Sequence, residues 1–451
     1  MKICLKNVSL LVRNIGGFYS ENIWIKRNLS AYPVLSCFFR HFMAGASTSQ
    51  QNSTVLNEKP FTPKKALILT KFSRYEFEKR THSELSEEEL IKNLEDRGSD
   101  YNNLLQHHQI HVKNRDLVVK TLQDQGIETK VVNRFEYSDS YIDWADVIFT
   151  TGGDGTYLMA ASKIKNRDKP LIGINSDPTR SLGHLCLPSF YTENFPEAVI
   201  RLKAGNFRWM LRQRIKISIS GENAFDPPIE LHDQQLQYPE YRFLDCVEGH
   251  HKSNSPKVPK LEKCTKPKCM HELPVRALNE VFIGECLSSR VSYYELAINS
   301  SPKEKLKSSG LTVCTGTGST SWSFNINKVT EQCVKHLLKI TSQETNIDIP
   351  VSDKTLISRI TNKFNNSLIF DPTKLLMAYT LRDPIMFGMG FKCKPRGFAE
   401  KIEIKSRMFD ACLVIDGGLS FAFNDGATAI LEISDDDALL TVTLPDQCDK
   451  I

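Results

Sequence analysis

The feature of this sequence that most constrains its fold is a glycine-rich turn, GGDGT at 152–156, set between an apolar run and a helical pattern. The run WADVIFTT before the turn predicts a strand, and TYLMAASKI after it predicts a helix. Glycines let the backbone turn sharply and bring amide N–H groups close to a ligand, and the start of a helix adds partial positive charge. The stretch therefore predicts a strand–turn–helix unit with an anion site at the turn.

The segments around this turn alternate between strand and helix patterns. Short β-rich runs and helical patterns follow one another at 64–70, 86–94, 114–127, 128–135 and 170–175. Ser83 or Ser86 is placed to cap the second of these segments. Such alternation predicts βαβ units and a parallel sheet, so we expect a doubly wound α/β domain over 64–206.

After residue 206 the pattern changes to short β-type runs separated by Gly, Ser, Asn and Asp. The runs are RIKISIS, ALNEVFIG, VSYYELAI, LTVCTG, KIEIKS, ACLVIDG, LSFAF, TAILEIS and LLTVTL. This spacing is typical of an all-β domain, and we expect a β-rich, sandwich-like domain over 207–445. Two stretches are expected to be insertions in it: about 221–275, rich in Pro, Lys, Gln and His, and 328–367, with a partly helical pattern.

The first 57 residues differ in composition from the rest of the chain. Their charged residues are Lys2, Lys6, Arg13, Lys26, Arg27 and Arg40 against the single acid Glu21, with apolar residues interleaved. A basic, acid-poor, amphipathic leader is typical of a mitochondrial transit peptide, which predicts a location in the mitochondrial matrix. The alternative is a disordered cytosolic tail.

The overall composition excludes several classes of protein. The 451-residue chain carries a formal net charge of +5, much of it in the leader, which is weak support for a nucleic-acid surface. It has no apolar run near the roughly 20 residues needed to cross a bilayer. Its 12 cysteines are scattered without a compact framework, which favours free thiols in a reducing compartment. We therefore expect no nucleic-acid partner and no membrane span.

An acidic residue inside an anion-binding turn requires an explanation of its own. A simple phosphate site would exclude the negative charge of Asp154. Two roles fit a carboxylate there: it takes the proton of a hydroxyl that attacks a phosphoryl group, or it helps to hold the magnesium of a polyphosphate. The alternative is an ordinary turn, because Asp-Gly is a common turn pair.

Three ordered motifs and one further turn resemble those of the NAD kinase family. GGDGT is a signature that NAD kinases share with the diacylglycerol and sphingosine lipid kinases. VRALNEVFIG resembles the LNE segment of NAD kinases, TVCTGTGSTSW at 312–322 resembles their TPTGSTAY loop, and LIGINSDPTRSLGHL resembles their GVN…LGFL turn. Lipid kinases share only the first motif. The resemblance spans roughly 64–445 and, in detail, is to the mitochondrial branch of the family.

The resemblance implies an ATP-dependent enzyme that phosphorylates the adenosine ribose 2′-hydroxyl of NAD to give mitochondrial NADP. Asp154 would activate that hydroxyl, as the family's Asp does. The residues implied to line the ATP polyphosphate are Gly152, Gly153, Gly155 and Thr156. Those implied to contact NAD are Asn279 and Glu280, at the ribose and adenine side, and Thr317, Thr320 and Ser321, at the adenine. Mg²⁺ is expected to arrive with ATP, no protein metal site is expected, and the family implies a homodimer.

This chain departs from the family pattern at several positions. Gly316 replaces Pro, Trp322 replaces Tyr, His184 replaces Phe, and Ser309 stands where many members have an acidic residue. Basic residues in loops near the carboxyl ends of the predicted parallel strands are candidates for ATP phosphate contacts, namely Lys71, Arg74, Arg80 and Arg180. Two other functions remain open: a lipid kinase of the diacylglycerol or sphingosine type, and a non-catalytic NAD(P)-binding sensor.

Overall fold

The computed structural model describes residues 60–232, 270–385 and 393–445. The leader at 1–57 and most of the 221–275 insertion lie outside the described residues.

The first domain is built on a four-stranded sheet in the order β2-β1-β3-β4, with every pairing parallel. Its strands are β1 Lys65–Thr70, β2 Glu128–Val132, β3 Val147–Gly152 and β4 Leu171–Asn175. Its helices are α1 Arg74–Thr81, α2 Glu87–Asp96, α3 Tyr101–Asp124, α4 Asp139–Trp144, α5 Asp154–Lys163, α6 Phe190–Glu193 and α7 Phe195–Lys203. Because β3 and β4 are buried along their whole length, both faces of the sheet must be covered, as parallel sheets require.

The helices of this domain cover both faces of the sheet. Ile148 of β3 lies in an apolar cluster with residues of α4 and α5. Its neighbour Phe149 points the other way and packs its ring edge-on against Phe195 of α7, with the centroids 5.8 Å apart. The expected doubly wound α/β arrangement is confirmed.

Local capping explains where two helices begin. Ser86, one of the two candidates, caps α2, and Glu89 completes a reciprocal capping box. Helix α3 is 24 residues long and begins much earlier than the predicted 114–127. Its start is set by Asp100, whose side chain accepts the amide of Asn103, and the polar first half of α3 gave no amphipathic signal.

The second domain is a sandwich of two large antiparallel sheets. Their orders are β11-β10-β15-β18-β6-β8 and β14-β13-β12-β9-β16-β17-β7. The strands are β6 Ile215–Ser220, β7 Ile229–Glu230, β8 His271–Ala277, β9 Glu280–Glu285, β10 Ser292–Ile298, β11 Glu304–Ser308, β12 Leu311–Cys314, β13 Met377–Leu381, β14 Arg396–Ala399, β15 Lys401–Ser406, β16 Ala411–Ile415, β17 Leu419–Ala422 and β18 Thr428–Ile433. Alternate residues of β6 are buried, and the inward residues of both sheets share one apolar core.

The two expected insertions contain regular structure where the structure describes them. The 221–275 stretch contributes to a strand near each end, since β7 pairs with β17 and β8 pairs with β6. Between β12 and β13 the chain forms helices α8 Trp322–Asn327, α9 Glu331–Thr345 and α10 Lys354–Asn366. The last two occupy most of 328–367.

The end of the described chain returns to the first domain. Strand β19, Leu439–Thr443, pairs with β5, Arg208–Arg212, in a two-stranded sheet. Leu439 is buried in the cluster of α4 and α5, and the hydroxyl of Thr441 donates to the carbonyl of Leu171 on β4 at 2.7 Å. The α/β core is therefore completed by residues far outside 64–206. Among the described helices, none is long and apolar enough to cross a membrane.

Candidate active site

The glycine-rich turn has the predicted strand–turn–helix geometry. Strand β3 ends at Gly152, and α5 begins at Asp154. The amides of Thr156 and Tyr157 both donate to the carbonyl of Gly153, which starts the helix. Asp154 therefore lies in the first turn of a helix, beside amide groups that have no partner within the helix.

The carboxylate of Asp154 is held by the loop that follows β4. Its two oxygens accept the backbone amides of His184, at 3.2 Å, and Leu185, at 2.8 Å. Each oxygen keeps further acceptor capacity, so the side chain is fixed without being saturated. His184 contributes its backbone here, so the replacement of the family's Phe leaves this contact intact. Sequence analysis did not anticipate that this loop orients Asp154.

The same loop is folded tightly against the end of β4. Gly183 has φ +63°, which favours glycine, and an added Cβ would come within 2.7 Å of the Asn175 side chain. The side-chain amide of Asn175 donates to the carbonyl of Ser181 at 2.7 Å. These contacts hold the loop in the position from which its amides reach Asp154.

The glycines of the turn face different surroundings. A Cβ on Gly152 would lie 2.3 Å from the hydroxyl of Thr156, and one on Gly153 would lie 2.8 Å from the hydroxyl of Ser181. A Cβ on Gly155 would meet nothing within 4 Å. The first two glycines are therefore required by packing of the turn itself, while Gly155 faces open space.

A partly buried group of charged residues lies beside the turn, at the carboxyl ends of β1 and β4. The carboxylate of Asp177 accepts the hydroxyl of Thr179 at 2.6 Å, contacts His107 Nδ1 at 2.9 Å, and lies 4.0 Å from Lys71 Nζ. Burial favours a raised pKa for Asp177, but the bond from Thr179 and the charges of Lys71 and His107 hold that pKa below its ordinary value. Burial also lowers the pKa of Lys71, against the opposing effect of Asp177.

The second predicted group begins where β8 leads into β9. Leu278 is buried in the apolar cluster that contains Tyr157, Ala160 and Ala161 of α5. Asn279 and Glu280 follow it, and they are only 7% and 8% exposed. Asn279 Oδ1 and Glu280 Oε2 are buried and have no hydrogen-bond partner among the described residues. Buried polar atoms are normally satisfied, so these two atoms have unused acceptor capacity.

Glu280 is the acid in this group whose ionisation is most strongly altered. Burial, together with the charge of Asp416, raises the pKa of Glu280 to about 8. The Asp416 carboxyl also has a raised pKa, about 6, because of burial, although hydrogen bonds from three backbone amides oppose the rise.

The loop after β12 packs on the Asn279 backbone. A Cβ on Gly318 would lie 2.1 Å from the Asn279 carbonyl oxygen, so only glycine fits. Gly316, which replaces the family's Pro, is explained in the same way, because a Cβ there would lie 2.3 Å from the carbonyl oxygen of Asp371. Thr317 is buried, and its hydroxyl accepts Arg212 Nη1 at 3.3 Å.

The remaining predicted residues of this loop are more accessible. Thr320 is exposed and its hydroxyl donates to the carbonyl of Thr317 at 3.2 Å, and Ser321 is half-buried. Trp322 is 38% exposed, with the guanidinium of Arg382 5.3 Å from its ring centroid. The structure thus brings Asn279, Glu280 and the 315–321 loop into one group.

Two contacts link this group to the helix that carries Asp154. Helix α5 packs against β8, and Leu278 enters the core beneath α5. The guanidinium of Arg212 donates to the Thr317 hydroxyl. Burial raises the pKa of Tyr157 on α5, and the nearby positive charge of Arg212 opposes that rise. The arrangement places an oriented carboxylate at the glycine-rich turn and, across the same domain contact, two buried acceptor atoms without partners among the described residues. Within the described ranges, no group of three or more His, Cys, Asp or Glu side chains could hold a metal ion.

Comparison with known proteins gives a consistent result. The chain is 44% identical over 387 residues to "NAD kinase 2, mitochondrial" of Homo sapiens, covering 85% of each chain. It is 45% identical to the protein of that name from Rattus norvegicus, covering 85% of this chain and 88% of the relative. For Xenopus tropicalis the identity is 44%, covering 86% of this chain and 92% of the relative. No family model matches the chain.

Among solved structures, an NAD kinase from Archaeoglobus fulgidus in complex with ATP aligns with a TM-score of 0.44 at 17% identity, covering 85% of this chain and 94% of that one. The sequence relatives decide the classification, because 85% to 92% of each relative aligns with this chain at 44% to 45% identity. This chain belongs to the NAD kinase family.

Proposed function

We propose that this chain is an NAD kinase that transfers the γ-phosphoryl group of ATP to the 2′-hydroxyl of the adenosine ribose of NAD. The similarity to NAD kinases over 85% of this chain supports this function over a lipid kinase. Within the site, the observation that carries the proposal is the Asp154 carboxylate, held by two amides at an anion-binding turn and still able to accept a hydroxyl proton.

Asp154 acts as the general base. It takes the proton as the ribose oxygen attacks the γ-phosphorus, and the bond from that phosphorus to the β,γ-bridging oxygen breaks to release ADP. General-base catalysis typically contributes about 10²- to 10⁴-fold in rate. The amides of His184 and Leu185 restrain the carboxylate, so little reorientation is needed when the hydroxyl arrives.

NAD binds at the second group of residues. Asn279 and Glu280 offer the two buried acceptor atoms that lack partners, and ribose hydroxyls are donors that fit them. Thr317, Thr320 and Ser321 contact the adenine, where small side chains let a flat base approach the backbone.

ATP enters as its magnesium complex and binds along the glycine-rich turn, at Gly152, Gly153, Gly155 and Thr156. Gly155 supports this placement, because the space beyond its α-carbon is open. Lys71 lies directly beside the turn, since a Cβ on Gly152 would be 3.1 Å from the Lys71 Cβ. Lys71 therefore contacts the donor phosphates, with Asp177 and His107 restraining its position.

The product is mitochondrial NADP. The relatives carry "mitochondrial" in their names, and the basic, acid-poor leader at 1–57 is typical of import into the matrix. The homodimer implied by the family is part of the same proposal. Analytical ultracentrifugation of the chain from residue 58 onward tests it, and a monomer at micromolar concentration would contradict it.

A purified-enzyme assay tests the function directly. The chain is incubated with MgATP and NAD, or with MgATP and diacylglycerol or sphingosine, and NADP and phosphorylated lipid are measured. We expect NADP only. Lipid phosphate would support the rival kinase, and NAD binding without turnover would support a non-catalytic sensor.

The Asp154→Asn variant tests the mechanism in the same assay. The asparagine cannot take the proton, so kcat is expected to fall about 10²- to 10⁴-fold while NAD binding stays near wild type. Its NH₂ group also replaces one of the two acceptors for the amides of His184 and Leu185, so a modest fall in melting temperature is expected. Asp139→Asn is the matched control, because Asp139 is an exposed acid of the same domain that pairs with Lys165. Near-normal turnover of Asp154→Asn would show that another group is the base.

A further inference from the structure

The backbone of the Leu278–Glu280 segment is bound by a single carboxylate from a distant turn. The amide of Leu278 donates to Asp416 Oδ2 at 2.8 Å. The amides of Asn279 and Glu280 donate to Asp416 Oδ1 at 2.8 and 3.0 Å. The Asp416 amide in turn donates to the Glu280 carbonyl at 3.0 Å.

The other two carbonyls of this segment, those of Leu278 and Asn279, are bound by Thr315. The hydroxyl of Thr315 donates to the Leu278 carbonyl at 2.5 Å, and the Thr315 amide donates to the Asn279 carbonyl at 2.9 Å. Asp416 and Thr315, here called the backbone clasp, thus bind every backbone N–H and C=O of Leu278, Asn279 and Glu280. A segment whose backbone groups are all bound has little freedom to rearrange.

Asp416 lies in the turn between β16 and β17 with φ +48°, and Gly417 follows it with φ +65°. The amide of Gly418 donates to the Ile415 carbonyl at 2.9 Å, so Asp416 and Gly417 are the central residues of a tight hairpin turn, for which Asp-Gly is a favoured pair. Among the residues that tolerate this conformation, only aspartate offers two acceptor oxygens without a donor. The turn thus presents the Asp416 carboxylate to the three amides of Leu278–Glu280.

The segment bound by the clasp is the one that carries the unpartnered atoms Asn279 Oδ1 and Glu280 Oε2. We propose that Asp416 is a positioning residue for the nucleotide acceptor: by fixing the backbone of Leu278–Glu280, it holds the Asn279 and Glu280 side chains ready to receive the ribose hydroxyls of NAD. This inference rests on the proposed function, since it assigns Asp416 to the NAD side of the site and not to the ATP side.

The Asp416→Asn variant tests the assignment. The asparagine side chain has one acceptor oxygen, and its NH₂ group would face an amide N–H, so at least one of the three bonds is replaced by a donor–donor contact. We expect the KM for NAD to rise about tenfold or more while the KM for ATP stays within about twofold of wild type. A rise in both KM values together, or an unchanged KM for NAD, would overturn the inference.

A matched control separates positioning from general destabilisation. Asn424 accepts the amide of Ala411 at 2.9 Å, at the opposite end of strand β16, and does not contact the clasp. Asn424→Ala should lower the melting temperature while leaving both KM values unchanged. If it raised the KM for NAD as much as Asp416→Asn, the effect would belong to the sheet and not to Asp416.

A second variant covers the case in which Asp416→Asn fails to fold. Thr315→Val keeps the shape and the backbone amide but loses two bonds of the hydroxyl, the one it donates to the Leu278 carbonyl and the one it accepts from the Gly318 amide at 3.2 Å, so a smaller rise in the KM for NAD alone is expected. No change in this variant would then overturn the proposal. Amide hydrogen exchange of the 278–280 segment provides a readout independent of turnover: faster exchange in Asp416→Asn than in Asn424→Ala supports the clasp, and equal exchange contradicts it.

Measuring NADP formation by the wild-type chain distinguishes failure of the proposed NAD kinase function from failure of the positioning role of Asp416. Failure of the wild type to form NADP overturns the proposed function, and with it the acceptor role. Normal wild-type turnover with an unchanged KM for NAD in Asp416→Asn overturns only the positioning role.

Discussion

At the scale of single residues, two acidic side chains of the candidate site lie in opposite surroundings. Asp154 is half-buried, and both of its oxygens accept backbone amides. Glu280 is almost fully buried, one of its oxygens lacks a partner among the described residues, and its pKa is raised to about 8. The environment of Glu280 makes its ionisation unfavourable, and a ligand that donates hydrogen bonds to it can relieve this.

The raised pKa of Glu280 predicts a pH-dependent stability difference between wild type and Glu280→Gln. The carboxyl titrates near 4.5 in the unfolded chain and near 8 in the folded one. Between these values the folded state binds more protons, so ionising Glu280 lowers the free energy of unfolding of the wild type as pH rises. The glutamine variant lacks this loss and should become more stable relative to wild type from pH 5 to pH 8.

Melting temperatures of both proteins, measured without nucleotide across that range, check this prediction. The difference in melting temperature between wild type and Glu280→Gln should increase with pH. Saturating NAD should reduce this difference, because bound ribose hydroxyls donate hydrogen bonds to the ionised Glu280 carboxylate. A difference that stays constant with pH would show that Glu280 does not titrate in this window.

At the scale of elements, the turn between β3 and α5 requires close packing at Gly152 and open space at Gly155, and mutation can separate these two requirements. Gly155→Ala adds a methyl group where nothing lies within 4 Å, at a helical position where alanine is favoured over glycine by up to about 1 kcal/mol. The variant should be as stable as wild type or slightly more stable. Its KM for ATP should nevertheless rise about tenfold, since the added methyl group occupies the space proposed for the phosphates.

Gly152→Ala is the contrasting variant, because its Cβ would lie 2.3 Å from the Thr156 hydroxyl and should destabilise the turn itself. Thermal denaturation and steady-state kinetics on both variants separate the two effects. A Gly155→Ala enzyme with unchanged KM for ATP would place the phosphates elsewhere.

The predicted strands and the missed strands differ in how clearly their residue pattern marks them. All nine β-type runs named after residue 206 are strands: some, such as β6, alternate in burial, and others, such as β12, are short apolar runs that are buried throughout. Of the missed strands, β7, β8, β11 and β14 lie at sheet edges, and β13 lies inside its sheet. Edge strands such as EKLKS are charged and weakly patterned, so a single sequence shows little sign of them.

The residues of the candidate site also fall into two sets: those that a local motif predicts and those whose role depends on distant parts of the chain. The glycine-rich turn and the Asn279–Glu280 pair were recognisable because local motifs carry them. Asp416 was missed, because its role depends on amides 136 to 138 residues away in the chain. The same holds for Leu185, whose backbone amide reaches Asp154 only after the loop beyond β4 has folded back.

At the scale of the whole molecule, one buried arginine links the two domains. Arg214 is fully buried, and burial lowers its pKa to about 10. Its guanidinium donates to the carbonyls of Ala161 and Ile164, at the end of α5, at 2.8 and 2.6 Å. Its Nε donates to the carbonyl of Asp437 at 2.6 Å, next to β19. The helix that presents Asp154 and the returning end of the chain are therefore bound to the same cation.

Arg214→Leu should accordingly weaken the whole molecule and not just one element. The substitution leaves buried carbonyls without donors, at about 1 to 3 kcal/mol each, so we expect the free energy of unfolding to fall by about 3 to 5 kcal/mol. Arg276→Leu is the comparison variant: its guanidinium binds the Asp437 side chain at 2.6 Å, the exposed Glu272 and the carbonyl of Leu273 at 3.0 Å, but no residue of α5, so its loss should cost about 1 to 3 kcal/mol. Urea unfolding followed by tryptophan fluorescence measures both free energies of unfolding.

Because α5 carries Asp154 at its other end, Arg214→Leu should also lower kcat at temperatures where the protein is still folded, whereas Arg276→Leu should not. Equal, small effects of the two variants would mean that packing alone joins α5 to the end of the chain.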